Sequence, residues 1–381
     1  ALFVSYDNIA AISTASEITS DGSVTKWEGE IVLSSDVVIS GDLLLDSFEV
    51  KENGVTVTKY FESLDLNGHT LTVYGNVTHH RGEILFHNGK IKIGGNYLNA
   101  TPDIDSGQKA FYNTSSGTLK MVWDEDYMLV GGNFITNAFP YQSTLSTGTI
   151  EIKGNVQDYS DGNCMWNASD TNKVILSGTG NQIVHMKSKY AHFNDLEIQN
   201  SDSRVITISE YCTVSNVTAS DKSNLKITSK DGIATFGTLK STNLDITGNF
   251  ELGNGGTVLE KSNIAVDGNL TASSDIDLNG CKIQSTGILD HNYGEILFHN
   301  GRLEVDGDYL NAEPDVDSGQ KAFYNTSNGT LKMVWDEDYM LVGGNFITNP
   351  TWYSTLSAGI IEIKGNVQDY SNGYYAWNTS D

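Results

Sequence analysis

The segment LDLNGHTLTVYGNV at 64–77 is followed by ILFHNGKIKIGGNYL at 84–98, and the two share one pattern. Each contains an apolar-x-apolar stretch, an Asn-Gly pair, a second apolar-x-apolar stretch and a Gly-Asn pair. Alternation with a period of two predicts β-strands that bury one face. The Asn-Gly and Gly-Asn pairs predict tight corners, because these residues supply the positive φ that such corners need.

The corner pair recurs along the chain with a nearly constant step. Gly-Asn or Gly-Asp pairs begin at Gly75, Gly95, Gly132, Gly154, Gly248, Gly268, Gly307, Gly344 and Gly365. Where no insertion intervenes, the step is roughly 20 residues, a period typical of solenoid coils. Antiparallel hairpins are the alternative, since Asn-Gly between strands is also a hairpin signal. Hairpins do not explain a constant step, whereas stacked coils with three short strands each do.

The fold class that we predict is therefore all-β, an elongated parallel β-helix (β-solenoid). Inward-facing residues should form apolar columns through Leu71 and Val73, Ile91 and Ile93, and Ile150 and Ile152. Asn side chains at matched corners should stack and share amide hydrogen bonds.

A longer repeat contains the shorter one. Residues 119–137 and 331–349 both read LKMVWDEDYMLVGGNFITN, and the match extends from about 66–170 to about 278–381, with an offset of 212 that becomes 211 near Pro140. This predicts a tandem duplication with that offset as its period. We divide the chain into an N-terminal cap or linker at 1–35, a β-solenoid at 36–290 with the first copy (66–170) and looser coils (171–245), and the second copy at 291–381, which ends mid-unit.

Composition excludes several classes of protein. The net charge of −25 and the pI near 4.5 argue against nucleic-acid binding, which needs clustered Lys and Arg. The sequence contains no run of about 18 apolar residues, so we do not expect a membrane-spanning segment. The three cysteines, Cys164, Cys212 and Cys281, do not follow the duplication, so we expect packing residues and no disulfide framework.

Each copy carries one insertion. Gly95 and Gly132 are further apart than one coil, as are Gly307 and Gly344 in the copy, which predicts loops at 101–117 and 313–329. Pro-Asp-x-Asp-Ser-Gly in both loops resembles the front of a calcium loop, although the bidentate Glu of such a loop is missing. No cofactor is required by the sequence. Either these are simple acidic turns or Ca²⁺ binds to Asp103, Asp105, Asp315 and Asp317.

Each loop is followed by three acidic residues flanked by two aromatic residues. The sequence of this segment is Trp-Asp-Glu-Asp-Tyr, at 123–127 and at 335–339. Such clusters occur in polysaccharide-cleaving enzymes, but no Arg or Lys is placed as a base, and the five residues also fit a structural corner. We expect no catalytic residues. The candidate sugar-binding residues are Tyr112, Trp123, Tyr127, Tyr324, Trp335 and Tyr339. His79-His80 becomes His291-Asn292 in the copy, which argues against a zinc pair.

The phrases LDLNGHTLTVYGNV, NGKIKIGGNYL, GTLKMVWDEDYMLVGGNF and GTIEIKGNV resemble repeat regions of large secreted surface proteins of clostridia-like bacteria. The resemblance covers about 60–380 and implies a right-handed parallel β-helix in a surface stalk, adhesin or extracellular fibre. It implies a secreted, cell-surface location and no catalytic residues. Expected partners are other copies of the chain, end to end or laterally, and polysaccharide or cell-surface glycans. A carbohydrate-binding adhesin and a β-helix polysaccharide-degrading enzyme are the alternatives.

Overall fold

The computed structural model describes residues 18–20, 24–102, 112–138, 143–160, 166, 168–188, 190–199, 205–210, 213–228, 232–234, 238–252, 256–314 and 324–371. These residues form strands, turns and loops but no helix, so none of the described elements is a helix long and apolar enough to cross a membrane. Contacts divide the chain into unit 1, residues 1–199, and unit 2, residues 200–381.

The strands of unit 1 are mostly short. They are β1 (Ile18–Ser20), β2 (Val24–Trp27), β3 (Gly29–Val32), β4 (Val37–Ile39), β5 (Asp42–Leu45), β6 (Ser47–Glu52), β7 (Val55–Asp65), β8 (Thr70–Val73), β9 (Val77–His79), β10 (Glu83–Leu85), β11 (Lys90–Ile93), β12 (Tyr97–Asn99), β13 (Thr101–Pro102), β14 (Tyr112–Asn113), β15 (Thr118–Met121), β16 (Tyr127–Val130), β17 (Phe134–Thr136), β18 (Thr144–Leu145), β19 (Thr149–Ile152), β20 (Val156–Asp158), β21 (Lys173–Leu176), β22 (Gln182–Met186) and β23 (His192–Ile198).

Unit 2 continues with similar strands and three longer ones. They are β24 (Val205–Glu210), β25 (Thr213–Thr228), β26 (Gly232–Ala234), β27 (Thr238–Thr247), β28 (Phe250–Leu252), β29 (Thr257–Glu260), β30 (Ile264–Asp267), β31 (Leu270–Ser273), β32 (Ile276–Asp277), β33 (Lys282–Ser285), β34 (Leu289–Leu297), β35 (Arg302–Val305), β36 (Tyr309–Asn311), β37 (Glu313–Pro314), β38 (Tyr324–Asn325), β39 (Asn328–Met333), β40 (Tyr339–Val342), β41 (Phe346–Thr348), β42 (Thr355–Leu356), β43 (Ile360–Ile363) and β44 (Val367–Asp369).

Unit 1 arranges its strands in three parallel ladders. The first ladder runs β4, β8, β11, β16, β19, β21, β23. The second runs β2, β5, β9, β12, β17, β20, β22. The third runs β3, β7, β10, β15, β18. Parallel pairing rules out the meander of hairpins that Asn-Gly pairs alone would allow, because consecutive strands of a hairpin are antiparallel.

Unit 2 has the same three kinds of ladder. Its first ladder passes through β30, β33, β35, β40 and β43. Its second contains β28, β31, β34, β36, β41 and β44. Its third contains β29, β32, β34, β39 and β42. The long strand β34 pairs in both the second and the third ladder.

The core consists of the predicted columns. Leu71 pairs with Ile91, which pairs with Met128, and Met128 pairs with Ile150. All four side chains are buried, as are their partners two residues along each strand. Alternation therefore buries one face of each of these four strands, β8, β11, β16 and β19.

An aromatic column, which the alternation does not reveal, runs from Tyr97 and Phe134 in the second ladder of unit 1 through Trp166 to Phe193 in β23 of the first ladder. The ring centroids of Tyr97 and Phe134 are 4.7 Å apart, those of Phe134 and Trp166 are 4.7 Å apart, and those of Trp166 and Phe193 are 5.0 Å apart. All four rings are buried. Stacked and edge contacts of this kind add to the free energy of area burial.

The glycines at the Gly-Asn corners serve a different purpose from the predicted one. Only Gly248 and Gly268 have a positive φ among the described glycines of these pairs. At Gly95, by contrast, a Cβ would lie 2.9 Å from the carbonyl oxygen of Gly75. The corner needs glycine because successive backbones pass too close for a side chain.

The corner asparagines are hydrogen-bonded between successive corners, mainly from backbone to side chain. The backbone N–H of Asn96 donates to Oδ1 of Asn76 at 2.8 Å, and the N–H of Asn133 donates to Oδ1 of Asn96 at 2.7 Å. The bond from Asn155 to Asn133 repeats this at 2.8 Å. In unit 1 each side chain thus accepts from the backbone one step along the ladder. In unit 2 Asn366 donates both its backbone N–H and its side-chain amide to Oδ1 of Asn345, at 3.0 and 3.1 Å, so the expected amide-to-amide bond occurs there.

The Asn-Gly pairs are one residue out of register with each other. Asn67 and Gly68 occupy the two positive-φ positions of one corner, whereas His87 and Asn88 occupy them at the next. Gly89 instead lies where a Cβ would overlap the Cβ of Leu66. The predicted pairing of Leu71 with Ile91 is nevertheless confirmed, so the two Asn-Gly pairs occupy different positions in the same corner.

The segment assigned to the cap or linker contains strands of the ladders. β2 and β3 already pair in parallel with β5 and β7, and β1 pairs with β2 antiparallel. Among the described residues, parallel pairing is therefore already present at Val24, ahead of residue 36. The antiparallel β6–β7 hairpin is an additional arm of unit 1.

Both insertions leave the ladders through a short antiparallel neck. β13 pairs with β14 in unit 1, and β37 pairs with β38 in unit 2. The chain rejoins the ladders through the bridges Ser115 to Ala138 and Ser327 to Pro350. Cys281 is a buried free thiol, which agrees with a packing role.

Candidate functional site

The Trp-Asp-Glu-Asp-Tyr segment forms the corner between β15 and β16. Asp126 is buried, and its carboxylate accepts three backbone N–H groups, from Asn88 at 2.7 Å, Val122 at 2.9 Å and Trp123 at 3.0 Å. Burial raises the pKa of the Asp126 carboxyl, and the three N–H donors oppose that rise. This acid closes its own turn and ties it to the corner one ladder step earlier.

The other two acids of the segment, Asp124 and Glu125, are exposed. The corner therefore does not gather three carboxylates around one point. Asp126 is occupied by backbone donors, which leaves Asp124 and Glu125 as the two acids of this corner that face solvent.

The aromatic residues of the corner have partners within unit 1. The Trp123 ring stacks on His87, with centroids 4.7 Å apart and an interplanar angle of 27°. The Tyr127 hydroxyl donates to Glu151 at 2.5 Å. Burial, and then this hydrogen bond to a carboxylate, raises the pKa of Tyr127. One face of Trp123 is thus covered, and the remaining surface is half-buried.

Unit 2 repeats this corner between β39 and β40. Asp338 accepts from three backbone N–H groups in the same way, and Trp335 stacks on His299 at 4.7 Å. The Tyr339 hydroxyl donates to Glu362 at 2.9 Å, and the guanidinium of Arg302 lies 4.0 Å from the Tyr339 ring centroid. The hydrogen bond to Glu362 raises the pKa of Tyr339.

The structure brings together only some of the candidate sugar-binding residues. Trp123 and Tyr127 flank one corner, as do Trp335 and Tyr339. Tyr112 and Tyr324 lie in the insertion necks, as residues of β14 and β38, and their side chains lie outside the described residues. Since β15 separates Tyr112 from Trp123, the two occupy opposite ends of that strand.

The candidate calcium ligands, Asp103, Asp105, Asp315 and Asp317, lie outside the described residues. Within the part of the chain that is described, no group of three or more His, Cys, Asp or Glu side chains is arranged to hold a metal ion. Calcium binding by the insertions therefore stays a prediction.

A buried polar cluster at the base of each insertion was missed from the sequence. His79 is fully buried; its Nε2–H donates to the Gly82 carbonyl at 3.0 Å, and its Nδ1 accepts from the Tyr97 hydroxyl at 2.8 Å. Asn99, which precedes the insertion, donates to the carbonyl of Gly117, which follows it, at 2.7 Å. Burial lowers the pKa of His79 to about 4.

The same cluster occurs in unit 2. His291 bonds Tyr309 at 2.8 Å and the Gly294 carbonyl at 3.0 Å, and burial lowers its pKa to about 4. The only signal in the sequence was that both copies retain the first His of the pair and the Tyr with which it bonds. Both ring nitrogens are engaged by the protein, which leaves neither for a metal.

Comparison of the chain with protein-family models, with curated proteins and with solved structures found no match.

Proposed function

We propose that the chain is a non-enzymatic structural or adhesive repeat protein of the cell exterior, in which a right-handed parallel β-solenoid serves as a stalk or as the subunit of a filament. The observation that carries this proposal is the continuation of parallel ladders through each unit, with buried apolar columns along them. Such an arrangement supports extension by repetition, because each level contacts only its neighbours.

The contacts that the acidic and aromatic residues make within the protein also support a structural role. Asp126 and Asp338 close turns, Trp123 and Trp335 stack on histidines, and the buried histidines bond within the cluster at the insertion base. The acidic net charge of −25 would keep a large exposed object soluble.

Binding of polysaccharide or cell-surface glycans is the second candidate. It is favoured by the exposed surface that each corner retains beside its aromatic ring. In unit 2, however, Arg302 covers a face of Tyr339, so the two corners present different surfaces.

Electron microscopy of negatively stained protein tests the main proposal. We expect rods or filaments of constant width, with filaments identifying a polymerising subunit and isolated rods a stalk. Compact particles would contradict the solenoid. Small-angle scattering on the same sample checks that rods are not produced by the stain.

A further inference from the structure

A groove lies on unit 1 where the corner between β9 and β10 passes the base of the β6–β7 hairpin. Its volume is about 490 Å³, and its lining includes Phe61, Glu62, Arg81, Glu83, Ser116 and Thr118. The hairpin beside it is inserted between β4 and β8, and it accounts for the long step between the paired residues Val37 and Leu71.

The floor of the groove depends on Gly82. Its φ is +79°, and a Cβ at this position would lie 2.8 Å from the ring of Phe61. Phe61 is fully buried. The backbone therefore lies directly on the aromatic ring, and Gly82 also accepts the hydrogen bond of His79, which fixes the corner in place.

Arg81 is held in the groove by an aromatic contact rather than by an ion pair. Its guanidinium lies 4.7 Å from the ring centroid of Tyr60, at the base of the hairpin. Glu62 and Glu83 line the same groove, yet no ion pair joins either of them to Arg81 in the part of the chain that the structure describes. The N–H fork is therefore available to a ligand.

We propose that this groove binds a neutral saccharide. Arg81 supplies hydrogen-bond donors, and Glu62 and Glu83 supply acceptors. The Thr118 hydroxyl can act as either, whereas the Ser116 hydroxyl donates to the His80 carbonyl at 3.3 Å and is left to accept. A polyhydroxylated ligand uses all three kinds of group. The groove has two carboxylates and one guanidinium, and the chain has a net charge of −25. Both charges disfavour the binding of an anionic ligand.

Unit 2 lacks the site although its corner is built in the same way. Gly294 accepts the hydrogen bond of His291 as Gly82 accepts that of His79. With this equivalence, Tyr293 stands where unit 1 has Arg81, and Ser274 stands where it has Glu62. One saccharide per chain is therefore expected. The proposal names a ligand for the adhesive role and rests on that part of the proposed function.

Isothermal titration of the full chain with neutral oligosaccharides of glucose, mannose, xylose and N-acetylglucosamine, and with an oligouronate, tests the proposal. We expect one neutral oligosaccharide to bind with a stoichiometry of one. Arg81→Tyr should weaken binding about tenfold or more, because charged hydrogen bonds are lost. This variant should fold, since unit 2 carries Tyr at the equivalent position; circular dichroism checks that it does.

Arg302→Gln is the matched control, because it removes another arginine that lies over a tyrosine ring, in unit 2. It should leave the affinity unchanged. The proposal is overturned if none of the neutral oligosaccharides binds, if two bind per chain, if Arg81→Tyr binds as tightly as the parent, or if the oligouronate binds more tightly. None of these results would alter the rods expected in micrographs, so the structural role is tested separately.

Discussion

Acid should destabilise the protein through the two buried histidines. In the folded chain Nδ1 of His79 accepts from Tyr97 and Nε2–H donates to Gly82, so a second ring proton would force the Tyr97 hydroxyl to turn and would place a positive charge in a buried site. Burial lowers the pKa of His79 from its ordinary value of 6.5 to about 4, and His291 behaves in the same way. In the unfolded chain both rings are in water and titrate near 6.5.

The direction of the effect follows from which state binds the proton. Above pH 6.5 neither state is protonated, and the full stability is present. As the pH falls from 6.5 through 4, each histidine is protonated in the unfolded chain at a higher pH than in the folded chain, so the free energy of unfolding decreases. The difference between the folded and unfolded pKa values lowers the free energy of unfolding by about 2 kcal/mol per histidine at pH 5 and about 3 kcal/mol at pH 4.

Denaturant unfolding followed by tryptophan fluorescence at pH 8, 6.5, 5 and 4.5 measures the effect. Carboxylates titrate over part of this range, so the informative quantity is the difference between the parent chain and the double variant His79→Gln, His291→Gln. The variant should be less stable at pH 8, because it disturbs a buried hydrogen-bond pair. The difference should shrink as the pH falls. A constant difference from pH 8 to pH 4.5 would refute the reasoning.

Three further substitutions test how the ladders are held, each by denaturant unfolding at neutral pH. Asp126→Asn should cost roughly 2–4 kcal/mol, because an amide presents a donor to backbone N–H groups; a loss below about 1 kcal/mol would contradict the proposed turn closure. Gly95→Ala should cost more than Gly68→Ala, since a Cβ at Gly95 meets a backbone oxygen at 2.9 Å, whereas Gly68 has a φ of +78° with open space around it; the opposite order would argue against close approach of the backbones. Val156→Ala should cost about 2 kcal/mol, whereas Val38→Ala, at an outward-facing position of β4, should cost under about 0.5 kcal/mol, because Val156 is 0% and Val38 is 42% exposed; equal losses would argue against burial as the cause.

The alternation of apolar residues was sufficient to predict the strands and their inward columns. Leu71, Ile91 and Ile150 lie in one buried column because a period of two places alternate side chains on one face of each strand. The constant step between corners was sufficient to predict parallel pairing. Both signals are local or periodic, and neither requires knowledge of distant contacts.

The roles of individual polar residues were not predictable in the same way. Asp124, Glu125 and Asp126 are adjacent acids in the sequence, and only the fold reveals that the last one faces three N–H groups. One of those donors, Asn88, lies 38 residues away along the chain. The positive φ predicted for the glycines of the Gly-Asn corners was wrong for a related reason. Glycine is selected both where φ is positive and where two backbones pass close together, and the sequence does not distinguish the two cases.

Comparison of the two copies distinguishes residues that make the same structural contacts in both units from residues that differ between them. The histidine and tyrosine of the insertion base and the acid that closes the next corner make the same bonds in both units. A side chain that completes a buried network cannot change without leaving a partner unsatisfied. Arg81 completes no such network, and its counterpart, Tyr293, shows that the corner folds without it. Arg81 forms no ion pair within the described part of the chain, and its place in a groove with two carboxylates is consistent with the proposed saccharide site.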